Sequence, residues 1–200
     1  MSKKQRTLVA LPLVGGLCLM AVSAHAQVGG GTWKTQSPSF NVQERGCGDV
    51  SDLTFKLTCS SAVDNRAERR YATHGSGTWQ FEGSFRITSM SGTRLSLKQT
   101  FKDDPGAGPY WMLGVENGGR LYLIRGSHKT LGGEGKVGAT VRVNTIHTVG
   151  SRHEVYINGS KRDEESSPSG NFYDKLGLYR SGSGKGPGTV VWSGIKFWKR

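Results

Sequence analysis

Beyond its first 26 residues this chain has only two cysteines, no second long apolar run and no convincing amphipathic helical stretch. Each absence excludes something. Without a further long apolar run, no membrane-spanning helix is expected after the leader. Without Cys and His at ligand spacing, no metal site is expected. Without helical periodicity, a helix bundle or a parallel α/β sheet is excluded. Acids are scarce as well, with 15 Asp+Glu against 27 Lys+Arg.

What is present begins with a leader. Lys3, Lys4 and Arg6 precede an apolar stretch from Leu8 to Val22, and Ala24-His25-Ala26 forms an A-x-A cleavage site before Gln27. That is the pattern of a secretory signal peptide over residues 1–26, too short for a comfortable membrane span. The protein is therefore expected to be secreted or periplasmic, with residues 27–200 forming one domain. In an oxidising compartment the two remaining cysteines, Cys47 and Cys59, are expected to pair. Loss of the leader leaves 24 basic residues against 15 acidic ones. A field of that sign gathers polyanions. Export disfavours nucleic acid, and no membrane contact is expected once the leader is gone. An acidic polysaccharide is the favoured partner, taken up by a monomer. The same charge also fits a protein that is merely kept soluble.

Glycine is abundant, at 30 residues, and it punctuates short apolar runs. Those runs alternate with the period of a strand. Leu53, Phe55 and Leu57 alternate with polar neighbours, as do Leu95 and Leu97, and Leu176 and Leu178. Asn158-Gly159 is a two-residue hairpin signal. Many short strands with regular turns predict an all-β fold, a sandwich of two antiparallel sheets of the jelly-roll kind. Residues 27–50 read as an irregular lead-in. Residues 102–109, 125–137, 159–171 and 181–188 read as long loops. Trp79, Trp111 and Trp192 fit either core positions or sugar-stacking platforms.

Three segments could carry chemistry. In a strand, Arg66, Glu68 and Arg70 share one face. Two guanidiniums beside a carboxylate are poor core material, yet they suit a groove that grips carboxylates in bidentate pairs. A solvated outer face fits the same row. In Tyr173-Asp174-Lys175-Leu176-Gly177-Leu178-Tyr179-Arg180, Lys175, Gly177 and Tyr179 share a face opposite Leu176 and Leu178. An ammonium near the phenol is expected to lower the Tyr179 pKa and make it a general base. In Lys98-Gln99-Thr100-Phe101, Gln99 could donate to a substrate carboxylate. Its parity matches Leu95 and Leu97, however, so either a bulge re-aims it or it faces the core.

With these segments in order, the chain resembles the jelly-roll polysaccharide lyases, a group including alginate lyases, glucuronan lyase and heparin lyase I. The alginate lyases carry an R-x-E-x-R strand, matched by Arg66, Glu68 and Arg70. They carry a late Y-F-K-A-G-x-Y strand, matched by Tyr173, Lys175, Gly177 and Tyr179. Between these lies a Gln-x-His strand, matched by Gln99 but with Phe101 in the His position. The resemblance implies a concave, basic groove holding a uronate chain. It implies that Arg66, Gln99 and Lys175 serve catalysis with Tyr179, and that Arg70, Glu68, Lys98, Arg180 and Tyr173 bind substrate. With Phe101 replacing the His, a His from elsewhere is needed: His74, His128, His147 and His153 are candidates, and His74 is preferred because it follows the Arg strand.

The implied reaction is β-elimination. Neutralising the uronate carboxylate makes the C5 proton removable, and the leaving O4 then takes a proton. That chemistry requires no metal or organic cofactor. A glycoside hydrolase would instead want a spaced carboxylate pair, and Glu164 and Glu165 sit in a polar run that reads as solvated. A carbohydrate-binding jelly roll without catalysis, and a cationic envelope protein, are the other two readings.

Overall fold

The computed structural model describes residues 27–60, 64–125, 127–180 and 184–200. The expected signal peptide lies outside the described residues. Among the described residues there is no helix. The strands run in chain order from β1 (Lys34–Gln36), β2 (Phe40–Arg45), β3 (Gly48–Ser51) and β4 (Thr54–Leu57). Next come β5 (Arg66–Tyr71), β6 (Thr78–Met90), β7 (Arg94–Lys102), β8 (Pro109–Glu116) and β9 (Leu121–Arg125). The remainder are β10 (Ser127–Gly132), β11 (Thr140–Thr148), β12 (Arg152–Ile157), β13 (Ser160–Ser166), β14 (Phe172–Tyr179) and β15 (Gly188–Lys199).

They pair into two antiparallel sheets. One has the order β13-β12-β11-β6-β15-β4-β3, with β1 also pairing β15. The other has the order β10-β9-β8-β7-β14-β5-β2. The alternating apolar residues do what their period demands. Phe55, Leu57, Leu95, Leu97, Leu176 and Leu178 all point between the sheets and are almost fully buried. Trp111 and Trp192 are also core residues, each 1% exposed, and Trp192 packs on Phe81 and Phe85. They are not available as sugar platforms. The fold is the jelly-roll sandwich that the strand pattern predicts.

Two expected loops contain strands instead. The 125–137 stretch holds β10, which pairs with β9, and the 159–171 stretch holds β13, which pairs with β12. Both are edge strands of their sheets. An edge strand exposes much of its length to water and is commonly charged. The polar runs Ser127-His128-Lys129-Thr130 and Ser160-Lys161-Arg162-Asp163-Glu164 therefore lack apolar alternation. The lead-in likewise contains β1, β2 and β3. Asn158 and Gly159 take positive φ values of 51° and 83°, as a tight two-residue hairpin turn requires.

Cys47 and Cys59 form a disulfide, 12 residues apart in sequence. It ties the start of β3 to the segment following β4.

Candidate functional site

Strands β5, β14 and β7 are neighbours near the middle of the seven-stranded sheet. Their register brings the three sequence segments together. Lys175 lies opposite Arg70 on one side and Gln99 on the other. Tyr179 lies opposite Arg66, Gly177 opposite Glu68, and Tyr173 opposite Phe101. Directly paired residues of this kind sit roughly 5 Å apart and share a face. That face is the outer one, because Ala67, Leu176 and Leu178 on the same strands are in the core.

Gln99 reaches this face through a bulge. The β7–β8 register shifts between Ser96 and Lys98, and the β14–β7 register shifts between Leu176 and Tyr179. An extra residue reverses side-chain parity beyond it. Leu95 and Leu97 point inward, and beyond the bulge so does Lys98, while Gln99 turns outward to donate to Glu68. Gly177 supports the second irregularity. Its φ is +137°, and a Cβ there would lie 2.3 Å from the Ala67 carbonyl oxygen.

The outer face is recessed at its centre. Glu68 and Gln99 are each 2% exposed and Lys175 is 5% exposed. Glu68 accepts from Gln99 Nε2 and pairs with Lys175 Nζ at 3.4 Å. Burial pushes the Glu68 carboxyl up, against the opposing pull of Lys175 and Arg66. Burial also pulls the Lys175 ammonium down, with Glu68 opposing. Around this floor sit half-buried groups. Arg66 stands over the Tyr179 ring at 5.4 Å, and Arg70 lies over the Tyr173 ring at 3.9 Å. Arg70 also pairs with Asp103 at 3.2 Å. Tyr173 and Phe101 stack with ring centres 5.1 Å apart and planes within 4°. Phe101 thus fills its position as an aromatic wall.

Tyr179 differs from the sequence expectation. Its phenol is not lowered by Lys175. Burial pushes it up, and Asp64, which accepts a hydrogen bond from the hydroxyl at 2.9 Å, pushes it further. The reason is the strand itself. Residues four apart are separated by roughly 13 Å along a strand, whereas Glu68 is a cross-strand neighbour, so the Lys175 ammonium turns to Glu68.

Three residues assigned to the groove from sequence lie elsewhere. Lys98 points between the sheets, where its ammonium pairs with Asp174 at 2.6 Å. The bulge that frees Gln99 is what sends Lys98 inward. Arg180, directly after the last outward residue of β14, is 0% exposed. Its guanidinium donates to the carbonyls of Cys59 at 2.6 Å and Gly186 at 3.0 Å, so it is a brace and not a substrate contact. His74 lines a cavity of about 230 Å³ on the inner side of β14, together with Trp79, Phe81, His147, His153 and Asp174. Its ring packs on Trp79, His147 and Phe172. Of the other histidines, His147 and His153 share that cavity, and His128 packs on Tyr122. None of the four contacts Tyr179.

Two relevant carboxylates escaped the sequence reading. Asp64 precedes β5 in no recognisable strand pattern, so nothing in the sequence ties it to Tyr179. Asp174 lies between two outward residues of β14, and its inward partner Lys98 becomes visible only once the bulge is known. Among the described residues no cluster of His, Cys, Asp or Glu is arranged to hold a metal ion.

No protein-family model and no curated protein matches the chain. Solved structures do. An alginate lyase of polysaccharide lyase family 7 superposes with a TM-score of 0.61 at 20% identity, over 82% of this chain and 83% of its own. An alginate lyase from Pseudomonas aeruginosa gives 0.59 at 18% identity, over 79% and 88%. A marine family 7 alginate lyase from Zobellia galactanivorans gives 0.61 at 15% identity, over 84% and 95%. In fold, the chain resembles the jelly-roll polysaccharide lyases.

Proposed function

We propose that this protein is a polysaccharide lyase that cleaves an acidic, uronate-containing polysaccharide by β-elimination. The observation that carries the reading is the register of three adjacent strands, which gathers Arg66, Arg70, Gln99, Lys175 and Tyr179 on one recessed face. Shared fold with alginate lyases supports it, although fold alone does not fix an activity.

In this reading Arg66 and Arg70 at the rim bind the uronate carboxylate, with Gln99 and Lys175 beneath it. Spreading the carboxylate charge stabilises the enolate-like transition state as the C5 proton leaves. The phenol oxygen of Tyr179 takes that proton as the proton it already carries is released. The C5–H electron pair forms the C4–C5 double bond, the C4–O4 bond breaks, and O4 receives a proton from the same hydroxyl. A phenol that is protonated at neutral pH suits the second half of this cycle. A basic chain exported through its leader would meet such polymers outside the cytoplasm, as a secreted or periplasmic monomer.

A second reading is favoured by one observation. Phe101 and Tyr173 form a closed stack capped by Arg70, and Glu68 already occupies the donors of Gln99 and Lys175. A recess so engaged could hold a polyuronate without cutting it. The experiment that separates the two is incubation of the protein with polymannuronate, polyguluronate, polyglucuronate and heparin-like chains, followed by the ultraviolet absorbance of unsaturated uronate ends. A rise with one of them supports the lyase. Retained binding with no rise on any polymer supports the second reading.

A further inference from the structure

Resting on the lyase reading above, we propose that Asp64 is a positioning residue for the reaction, holding the Tyr179 hydroxyl and accepting its proton while the hydroxyl oxygen takes the C5 proton. The contact is direct, with Tyr179 Oη donating to Asp64 Oδ1 at 2.9 Å. The charged groups facing the phenol are Asp64, Arg66 and Glu68. Arg66 sits over the ring and Glu68 is engaged by Lys175 and Gln99, which leaves Asp64 as the carboxylate bonded to the hydroxyl.

Asp64 is held there by a built corner. It adopts φ +59°, the left-handed region that Asp enters more readily than most non-glycine residues, and so turns the chain sharply into β5. That turn is fixed by Asn65, the residue that follows it. The Asn65 side chain accepts from the Cys47 N–H at 3.0 Å, and its carbonyl accepts from the Arg180 N–H at 3.0 Å. The Arg180 guanidinium grips the Cys59 carbonyl, and the disulfide links Cys59 back to Cys47. Backbone approach is so close that a Cβ on Gly48 would lie 1.8 Å from the Arg66 carbonyl oxygen. The disulfide, Arg180 and Asn65, none of which touches the recess, together fix the one carboxylate that meets the phenol.

The proton balance closes. As Tyr179 Oη takes the C5 proton, its own proton passes to Asp64. Oη then delivers a proton to the departing O4, and Asp64 returns its proton to Oη. The enzyme ends as it began, with a neutral phenol and an ionised carboxylate.

The test uses Asp64→Asn, which can still accept the phenol's hydrogen bond but cannot take its proton. Asp64→Gly, which suits the left-handed backbone, guards against a folding defect, and Asp64→Glu tests rescue. Both Asn and Gly variants should lower kcat by about a hundredfold or more with KM little changed, and Glu should restore part of it. Independently, tyrosinate absorbance attributable to Tyr179, read as the difference from a Tyr179→Phe protein, should move to lower pH in Asp64→Asn. Unchanged kcat in Asp64→Asn, or an unmoved Tyr179 titration, would overturn the assignment. If the unmodified protein turns over no polyuronate, the lyase reading itself fails, and the titration still decides whether Asp64 governs the phenol.

Discussion

Replacing Lys98 by Met should destabilise the sandwich rather than weaken substrate binding. The Lys98 side chain is 0% exposed and its ammonium lies 2.6 Å from Asp174, whose side chain is 13% exposed. Thr100 donates to the same carboxylate oxygen at 2.6 Å. The surroundings are aromatic, with the ammonium 4.7 Å from the Phe81 ring and 5.4 Å from that of Trp111. Burial acts to raise the Asp174 carboxyl, but Lys98, His74 and the hydrogen bonds outweigh it and hold the group well below the usual carboxylate range. Removing the cation leaves a charge without a counter-ion, which costs about 3–5 kcal/mol. For a domain of this size that is a fall in Tm of roughly 6–20 °C. The pH dependence carries a sign. In the unmodified protein Asp174 has a depressed pKa, so its contribution is present above the unfolded value and lost only as pH falls through the lower folded one. In Lys98→Met the buried carboxyl is raised instead, so the deficit grows from acid towards neutral pH. Urea melts of the unmodified protein, Lys98→Met, and Lys98→Met/Asp174→Leu at acid and neutral pH measure this. The double variant should recover most of the loss, since apolar groups replace both charges. Lys98→Met within about 0.5 kcal/mol of the parent, a typical surface effect, or a double variant less stable than Lys98→Met, would refute the reasoning.

Burial, with His74 adding to it, pulls His147 down to about 4 from its ordinary value, Asp174 opposing and Lys98 assisting. Its neutral form belongs to the fold, so stability should be full above about pH 6.5 and fall by about 3 kcal/mol as pH drops to about 4. Denaturant melts across that window should show a steeper loss than in His147→Asn, and parallel curves would contradict it. Gly177→Ala should cost about 2 kcal/mol or more, because a positive φ and a backbone clash coincide there. A thermal melt unchanged by that substitution would show that the β14 irregularity relaxes freely.

Much of the sandwich was legible in the sequence, and particular residues show why. Leu95, Leu97, Leu176 and Leu178 announce their inward face by simple alternation, and Asn158-Gly159 announces its turn. Edge strands β10 and β13 were not legible, because a strand with little to bury carries no apolar period. The site was legible as three segments but not as contacts. Whether Gln99 or Lys98 faces outward depends on one bulge, and a bulge is fixed by cross-strand register rather than by the residue that bulges. Lys175 was expected to act along its own strand on Tyr179, yet cross-strand neighbours are closer than residues four apart, so it pairs with Glu68. Asp64 gave no signal, since its position depends on a disulfide-braced corner assembled from distant parts of the chain.

In the proposed reaction the hydroxyl on the outer face of β14 moves the protons of a β-elimination. Turnover of the responsive polyuronate by Tyr179→Phe, set beside the unmodified protein, tests it most directly. The unmodified protein should form unsaturated ends and Tyr179→Phe none, with circular dichroism and polymer binding preserved. Equal rates from the two proteins would contradict it.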